Sequence, residues 1–480
     1  MRRIQLYDTL SRESRLFVPR VPPKVDLFVC GLTPYADAHI GHGKVAVTFD
    51  VLARALRRWG YRVFYVQNVT NIDDRLIAAG GATGIDPLVL ADRHFAAWSA
   101  AMDALGVRSV SYYPRATDYV PEIVAQVQQL IARGLAYAAN GSVYYDIAKF
   151  PRYGALSGQK VEALRPGARV DPEPGKRAPG DFVLWKAATP GEPTWESPWG
   201  PGRPGWHIED TAISVRLFGP RYDIHGAGLD LKFPHHEAEI AQAEGATGES
   251  PLVNFWLHIG LLTMKGEKMS KSLGNVYGLA EALETFGPDV VRFYYLNAHY
   301  RSPLDFEPGR TLEEAREAYR SLAVPSERLR GALAAAGPMR PGEEVDPELA
   351  VSAARTLDRL DEALSEDFNT REAIAILYGW GKAVAGALPE SDRLSSDSLA
   401  TLLGPFDWAR DVLGLLGGPA GEDSSALPAL VAAALAARAR ARVRGDFAEA
   451  DRIRHDLAAA GIVLEDDADT TRWRPGPAGA

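Results

Sequence analysis

Cysteine is almost missing from this chain: among 480 residues there is one, Cys30. A single thiol closes no internal disulfide, so a small secreted scaffold stapled by sulfur is excluded and a cytoplasmic setting is the natural expectation. Long apolar runs are missing too, and no stretch approaches the roughly 20 consecutive apolar residues of a membrane span. The opening segment, MRRIQLYDTLSRESRLF, has charges but no apolar run behind them, which reads as no secretory signal. Positive charge is not in excess either. Lys and Arg number 53 against 62 Asp and Glu, a net charge of −9. A protein that coats nucleic acid over its whole surface is excluded, although a local basic face on an acidic chain is not. There is no internal repeat and no heptad array.

What is present is ordinary globular material. Hydrophobic residues make up 46% and charged residues 24%, enough for a sizeable core. The length predicts roughly three domains at about 150 residues each. Residues 25–30, VDLFVC, form a short apolar run that ends in the turn-rich loop Gly31-Leu32-Thr33-Pro34. A helical pattern starts near Gly41, and YRVFYVQNV (61–69) reads as a second strand. Strand, helix, strand at this spacing is a βαβ unit with a ligand crevice at the C-terminal ends of its parallel strands. Residues 85–135 carry helical periodicity. From 141 to 205 the texture changes: SVYYDI and DFVLWK read as strands around a Pro/Gly-rich stretch, as in an insertion between two halves of a nucleotide-binding domain. The α/β pattern resumes at RYDIHGAG, with a helix near His235–Ala246 and an apolar strand NFWLHIGLLTM. After Lys271 the chain is helical almost throughout, with linker-like breaks at 335–346 and 414–425. The last segment, 427–480, reads as an Ala/Arg-rich helical pair with a short Trp-containing end.

Two constellations carry phosphate chemistry. His39-Ile40-Gly41-His42 follows a strand and opens a helix, where free N–H groups and a partial positive charge favour phosphate. Taken alone, these could be ordinary surface histidines. Lys268-Met269-Ser270-Lys271-Ser272 places two lysines three apart in a small-residue loop, which suits a tri- or pyrophosphate; alone it also reads as a solvated basic loop. The histidine motif follows the first strand of the α/β pattern and the lysine motif the last, so both can face one crevice. A third group, His235 and Glu239, lies one helical turn apart on one face, a metal-ligand spacing; alone, the HHEAE run also reads as a polar helix start.

Together these motifs resemble the paired signatures of class I aminoacyl-tRNA synthetases. The blocks CGLTPY (30–35), HIGHGKVAVTFDVLARALRRWGYRVFYVQNVTNIDD, GRPGWHIE, DIHGAGLDLKFPHHEAEIAQAE, EKMSKSLGN, EDFNTREA (366–373) and GIVLEDDADTTRW are similar to the cysteinyl-tRNA synthetase family over essentially the whole chain. The resemblance implies an α/β fold: a Rossmann-type nucleotide-binding catalytic domain in two halves (1–115 and 205–275). An inserted connective, acceptor-end region (116–204) separates them. Mostly α-helical C-terminal parts follow: a stem-contact region (276–335), a helical bundle (346–416) and an anticodon-binding domain (427–480).

It also implies ATP-dependent charging of tRNA(Cys) with L-cysteine through a cysteinyl-adenylate, with Mg²⁺ accompanying ATP. His39, His42, Lys268 and Lys271 would be catalytic. These four, with Thr33 and Asp230, would contact ATP. Gly31, Thr70, Trp206 and His225 would line the cysteine site, although Thr70 and Trp206 fit core positions as well. Phe447 and Asp451 would read the tRNA, Phe447 standing where members of the family often have tryptophan. In this family a zinc ion sits between two cysteines, a histidine and a glutamate and takes the substrate thiolate. Cys30, His235 and Glu239 match three of those positions, and the fourth is Asp210 in this chain. A carboxylate keeps the ligand charge but hardens the site. The expected partners are tRNA(Cys), ATP and L-cysteine, with no membrane and a monomeric state. Two alternatives stand: a related ligase joining cysteine to an amino sugar, which would need no RNA-reading tail, and a non-catalytic RNA-binding paralogue, which would need no intact histidine and lysine motifs.

Overall fold

The computed structural model describes residues 1–159, 175–264, 266–269, 275–336, 347–387, 394–417, 434–435, 438, 441–442, 446–459, 462–466 and 471–475. The chain divides into two compact units, Met1–Gly417 and Gly418–Ala480. No described helix is long and apolar enough to cross a membrane.

A short antiparallel pair, β1 (Gln5–Asp8) and β2 (Glu13–Leu16), opens the first unit. β3 (Lys24–Leu32) follows, buried from Val25 to Cys30. A strand covered on both faces needs no polar alternation, which is why it reads as an apolar run interrupted only by Asp26. Helix α1 (Ile40–Arg58) then leads to β4 (Arg62–Val69), parallel to β3. Arg57 and Arg58 in the last turn of α1 complement its dipole. Helices α2 (Asp74–Thr83), α3 (Pro87–Ala104) and α4 (Val120–Ala132) follow. The stretch read as helical over 85–135 is interrupted by extended chain, where Tyr112 and Arg115 bridge to the edge of β4.

The inserted segment forms a four-stranded antiparallel sheet of β5 (Ala136–Ala139), β6 (Ser142–Tyr145), β7 (Phe182–Ala187) and β8 (Gly202–Pro204). Its apolar face, with α4, shares a core with α5 (Ile208–Phe218) and α6 (His235–Thr247). The central sheet is completed by β9 (Tyr222–Gly228) and β10 (Val253–Ile259), in the order β10-β9-β3-β4, all parallel. The chain runs outward from β3 to β4, then returns to add β9 on the other side of β3. The order therefore reverses between β3 and β9, and a ligand crevice opens at the C-terminal ends of that pair.

The stretch NFWLHIGLLTM is not one strand. It breaks after Ile259, and β11 (Leu262–Met264) joins a separate small sheet with β12 (Glu267–Lys268) and β13 (Leu304–Asp305). Helices α7 (Leu279–Phe286), α8 (Pro288–Leu296), α9 (Thr311–Ala335), α10 (Pro347–Ser365), α11 (Thr370–Ala387) and α12 (Ser396–Trp408) complete the unit. Their apolar faces are continuous with the core beneath α1 and the sheet. The second unit holds α13 (Phe447–Ala459) and an antiparallel hairpin, β14 (Ile462–Asp466) with β15 (Thr471–Pro475). The Trp-containing end of the chain is thus strand, and Leu464 packs with Leu435 and Leu457.

Candidate active site and metal centre

The crevice at the ends of β3 and β9 holds a cavity of about 600 Å³, lined by Gly31, Thr33, His39, His42, Thr70, Trp206 and Asp230 among others. At its rim His39 caps α1. Its Nδ1 accepts from the Gly41 amide at 3.1 Å, and His42 Nδ1 accepts from the His39 amide at 3.2 Å. The two rings stack with centroids 3.8 Å apart. With each Nδ1 acting as acceptor, the neutral imidazoles carry their proton on Nε2, a hydrogen-bond donor at a helix N-terminus. The two histidines thus form a reciprocal cap at the start of α1.

Gly31 follows Cys30 on β3 because nothing larger fits: a Cβ there would lie 1.7 Å from the Asn68 carbonyl oxygen. Its amide donates to Asn68 Oδ1 at 2.6 Å. Thr70 is buried and donates to Glu209 at 2.8 Å while still lining the cavity. Trp206 is 37% exposed and stacks on His235 with centroids 4.8 Å apart, so it belongs to the cavity wall and not to the core. His225 lies deeper. It is fully buried beneath Cys30, its Nε2 3.2 Å from the sulfur, and is not among the residues lining the cavity.

At the floor, β3, α5 and α6 bring Cys30, Asp210, His235 and Glu239 together, all buried and with ligand atoms within 4.8 Å of one another. Cys30 Sγ is 3.5 Å from Asp210 Oδ2 and 3.8 Å from Glu239 Oε1. His235 Nε2 is 3.0 Å from each of those carboxylate oxygens. Bonds of about 2.0–2.3 Å in a tetrahedral zinc site give ligand–ligand edges of roughly 3.3–3.8 Å, so the present spacing is close to what one ion needs. Asn68 Nδ2 holds Asp210 Oδ1, which leaves Oδ2 for the cluster. His207 Nδ1 lies 2.8 Å from His235 Nδ1, the outer partner that fixes which ring nitrogen faces inward. Cys30 and Glu239 also form a second quartet with His225 and His236.

The electrostatics ask for a cation. Burial, then the charges of Glu239 and Asp210, push the Cys30 thiol well above its ordinary range. Burial raises the Glu239 carboxyl to about 7, against the pull of His235. Burial opposes the His235 imidazolium, yet Glu239 and Asp210 outweigh it and hold it up to about 10. His207, His225 and His236 are kept neutral, first of all by burial. Glu239 Oε2 and Glu209 Oε2 are buried without a hydrogen-bond partner. A cluster that must otherwise hold protons to limit its own negative charge is suited to a divalent ion that displaces them.

Comparison with known proteins agrees with this geometry. Residues 16–317 match the family described as "tRNA synthetases class I (C) catalytic domain", and residues 424–474 match the "Cysteinyl-tRNA ligase anticodon binding domain". The chain is 44% identical over 487 residues to a "Cysteine--tRNA ligase" of Laribacter hongkongensis, covering 98% of this chain and 99% of that protein. It is 45% identical over 483 residues to one of Thioalkalivibrio sulfidiphilus, covering 98% and 100%. The chain belongs to the cysteine–tRNA ligase family. Among solved structures, the Mycobacterium tuberculosis methionyl-tRNA synthetase in complex with methionyl-adenylate shares the fold, with a TM-score of 0.59 at 16% identity over 82% of this chain and 92% of that one.

Of the remaining residues expected for such a ligase, Lys268 lies on β12, its side chain outside the described residues, as is Lys271 altogether. Phe447, 64% exposed, and Asp451, also exposed, lie on α13 in the second unit. The sequence reading missed His207, His236 and His258, which with His225 and His235 are buried around this floor. Their only signal was local: His236 in the HHEAE run and His207 in WHIE. His258 Nε2 is 2.9 Å from His236 Nδ1, and nothing in its own neighbourhood of sequence announces that.

Proposed function

We propose that this chain performs ATP-dependent ligation of L-cysteine to tRNA(Cys) through a cysteinyl-adenylate. The observation that carries the reading is the joint placement of the His39–His42 cap and the Cys30–Asp210–His235–Glu239 cluster on one crevice. In the first step a carboxylate oxygen of cysteine attacks the α-phosphorus of ATP, and pyrophosphate leaves. In the second, a terminal ribose hydroxyl of the tRNA attacks the acyl carbonyl, and AMP leaves. No side-chain nucleophile is required. Catalysis is positioning and charge stabilisation, with the Nε2–H groups of His39 and His42 on the α-phosphate side and Lys268 and Lys271 on the leaving pyrophosphate. Thr33 and Asp230 hold the nucleotide, whose phosphates bring Mg²⁺.

Gly31 lets the β3 backbone approach the amino acid, Thr70 and Trp206 wall it, and His225 supports Cys30 from below. Cys30, Asp210, His235 and Glu239 would hold Zn²⁺. Bound there, the ion supplies a soft acid that takes a thiolate in preference to a hydroxyl, which separates cysteine from serine where shape alone gives only about 10–200-fold. Phe447 offers a base-stacking platform and Asp451 acceptors for a base edge. An amino-sugar ligase would use the same crevice, but it leaves the match over 424–474 without a purpose. Aminoacylation of total tRNA with cysteine against serine, run with metal analysis of the purified protein, tests the reading. Charging with cysteine alone supports it, and exchange of pyrophosphate without any tRNA charging overturns it.

A further inference from the structure

Lys44, two residues beyond His42, is 1% exposed. Among the described residues none of the ion pairs involves it, and burial pushes its pKa down to about 8. Keeping a cation buried without a carboxylate costs free energy that a methionine of similar shape would not. Its ammonium instead donates to two main-chain carbonyls, Gly260 at 2.6 Å and Ser302 at 2.8 Å.

The position of those carbonyls is informative. Gly260 stands where β10 ends and β11 begins, and Ser302 lies just before β13. The two strands that follow, β11 and β13, pair with each other, and β12, which carries Lys268, pairs with β11. The backbones cross so closely here that a Cβ on Gly260 would lie 2.4 Å from the Ser302 carbonyl oxygen and 2.5 Å from that of Arg301. Two carbonyls at such a crossing are closed by a donor with several N–H groups. The chain beyond β12 is tied to the same end of α1 from the other side. The Ile40 amide donates to the Tyr277 carbonyl at 3.0 Å, and the Leu279 amide to the Ala38 carbonyl at 3.0 Å. Residues 38–44 therefore hold both ends of the segment that bears the lysine strand.

We propose that Lys44 is a positioning residue for cysteine activation: it clasps the root of the β11–β12–β13 sheet to the start of α1, so that Lys268 and the His39–His42 cap are presented to one ATP in a fixed relation. This rests on the reading above that Lys268 acts on the leaving pyrophosphate. Lys44 also lines the crevice, but its ammonium is turned to the Gly260 and Ser302 carbonyls, and the role assigned to it is exerted through them.

The test is cysteine-dependent ATP–pyrophosphate exchange with the full chain, comparing Lys44→Met, Lys44→Arg, Lys268→Ala and the double variant Lys44→Met/Lys268→Ala. Misplacement by about an ångström can cost ~10²-fold in rate. Lys44→Met should therefore lower kcat by at least about 10-fold while KM for cysteine moves less than about threefold. Lys44→Arg, which keeps a charged donor, should recover most of the loss. In the Lys268→Ala background Lys44→Met should add little, because the group it positions is gone. A full further loss in that background, or no rescue by arginine, overturns the clasp. Should Lys44→Met fail to fold, Lys44→Gln, which keeps an N–H donor, takes its place with the same expected pattern at smaller amplitude. Lys268→Ala with unchanged kcat overturns the lysine reading itself, which is distinguishable from Lys268→Ala impaired with additive Lys44 effects, where only the clasp falls.

Discussion

Arg292 on α8 ties that helix to α1, the helix whose first turn carries the histidine cap. It is 1% exposed and each of its three guanidinium nitrogens donates: Nη2 reaches Asp50 Oδ2 at 2.5 Å, Nε the Leu413 carbonyl at 2.7 Å and Nη1 the Leu105 carbonyl at 3.0 Å. Asp50 is itself fully buried, with Arg54 Nε at 2.8 Å and the amides of Arg108 and Ser109 at 3.1 Å. Removing one partner of a buried pair costs about 3–5 kcal/mol, chiefly because the other charge is left uncompensated. Arg54 still compensates part of Asp50, which pulls the figure down. The two stranded carbonyls, at about 1–3 kcal/mol each when left unpaired, pull it up. Arg292→Met should therefore destabilise the chain by about 4 kcal/mol, a large part of an ordinary total of ~5–15.

Urea unfolding should show this as a lower midpoint at unchanged slope. The double variant Asp50→Leu/Arg292→Met should lose less than Arg292→Met alone, since an apolar pair leaves no buried charge behind. The pH dependence has a definite sign. Burial works to raise the Asp50 pKa, but Arg292 and Arg54 hold it below the ordinary value. A carboxyl with a depressed folded pKa contributes stability that is present above its unfolded value of about 4 and is lost as pH falls toward the folded one. The stability difference between wild type and Arg292→Met should accordingly narrow on acidification below about pH 4. An Arg292→Met protein within ~1 kcal/mol of wild type at neutral pH would refute the assignment of this ion pair as the anchor of α1.

Four further outcomes are expected. Asp210→Cys should retain zinc longer against a chelator, because a second thiolate softens the donor set. In the unsubstituted chain zinc should bind more tightly when cysteine is present; unchanged retention in both comparisons would remove Asp210 from the metal site. A chain ending at Gly417 keeps the whole first unit and should keep cysteine-dependent pyrophosphate exchange while tRNA charging falls steeply; equal charging by both forms would refute an RNA role for the second unit. Gly31→Ala should lower the thermal midpoint and the zinc content together, as a Cβ 1.7 Å from the Asn68 carbonyl forces β3 and β4 apart beside Cys30; normal values of both would show that the strands can yield.

Features set within a few residues were legible in the sequence. β3 reads as an apolar run because both its faces are covered, and the His39 cap lies within one helical turn, so local spacing suffices. His235 and Glu239 share a helix face by period alone. The tertiary structure decided the rest. Helix α6 has a polar sequence, yet all but its last residue is buried, because His235, His236 and Glu239 face the cluster while Glu237 accepts from the Gly154 and Ser157 amides and Glu244 from the Leu252 amide. The break of the last long apolar stretch at Gly260 follows from the backbone of Arg301 and Ser302 passing alongside. Lys44 reaches a carbonyl 216 residues away, and Arg292 a carboxylate 242 residues away. Helical and strand periods place a side chain on a face, and nothing in them states what will cover that face. The strand order β10-β9-β3-β4 supplies that information, since it sets which chain ends meet at the crevice.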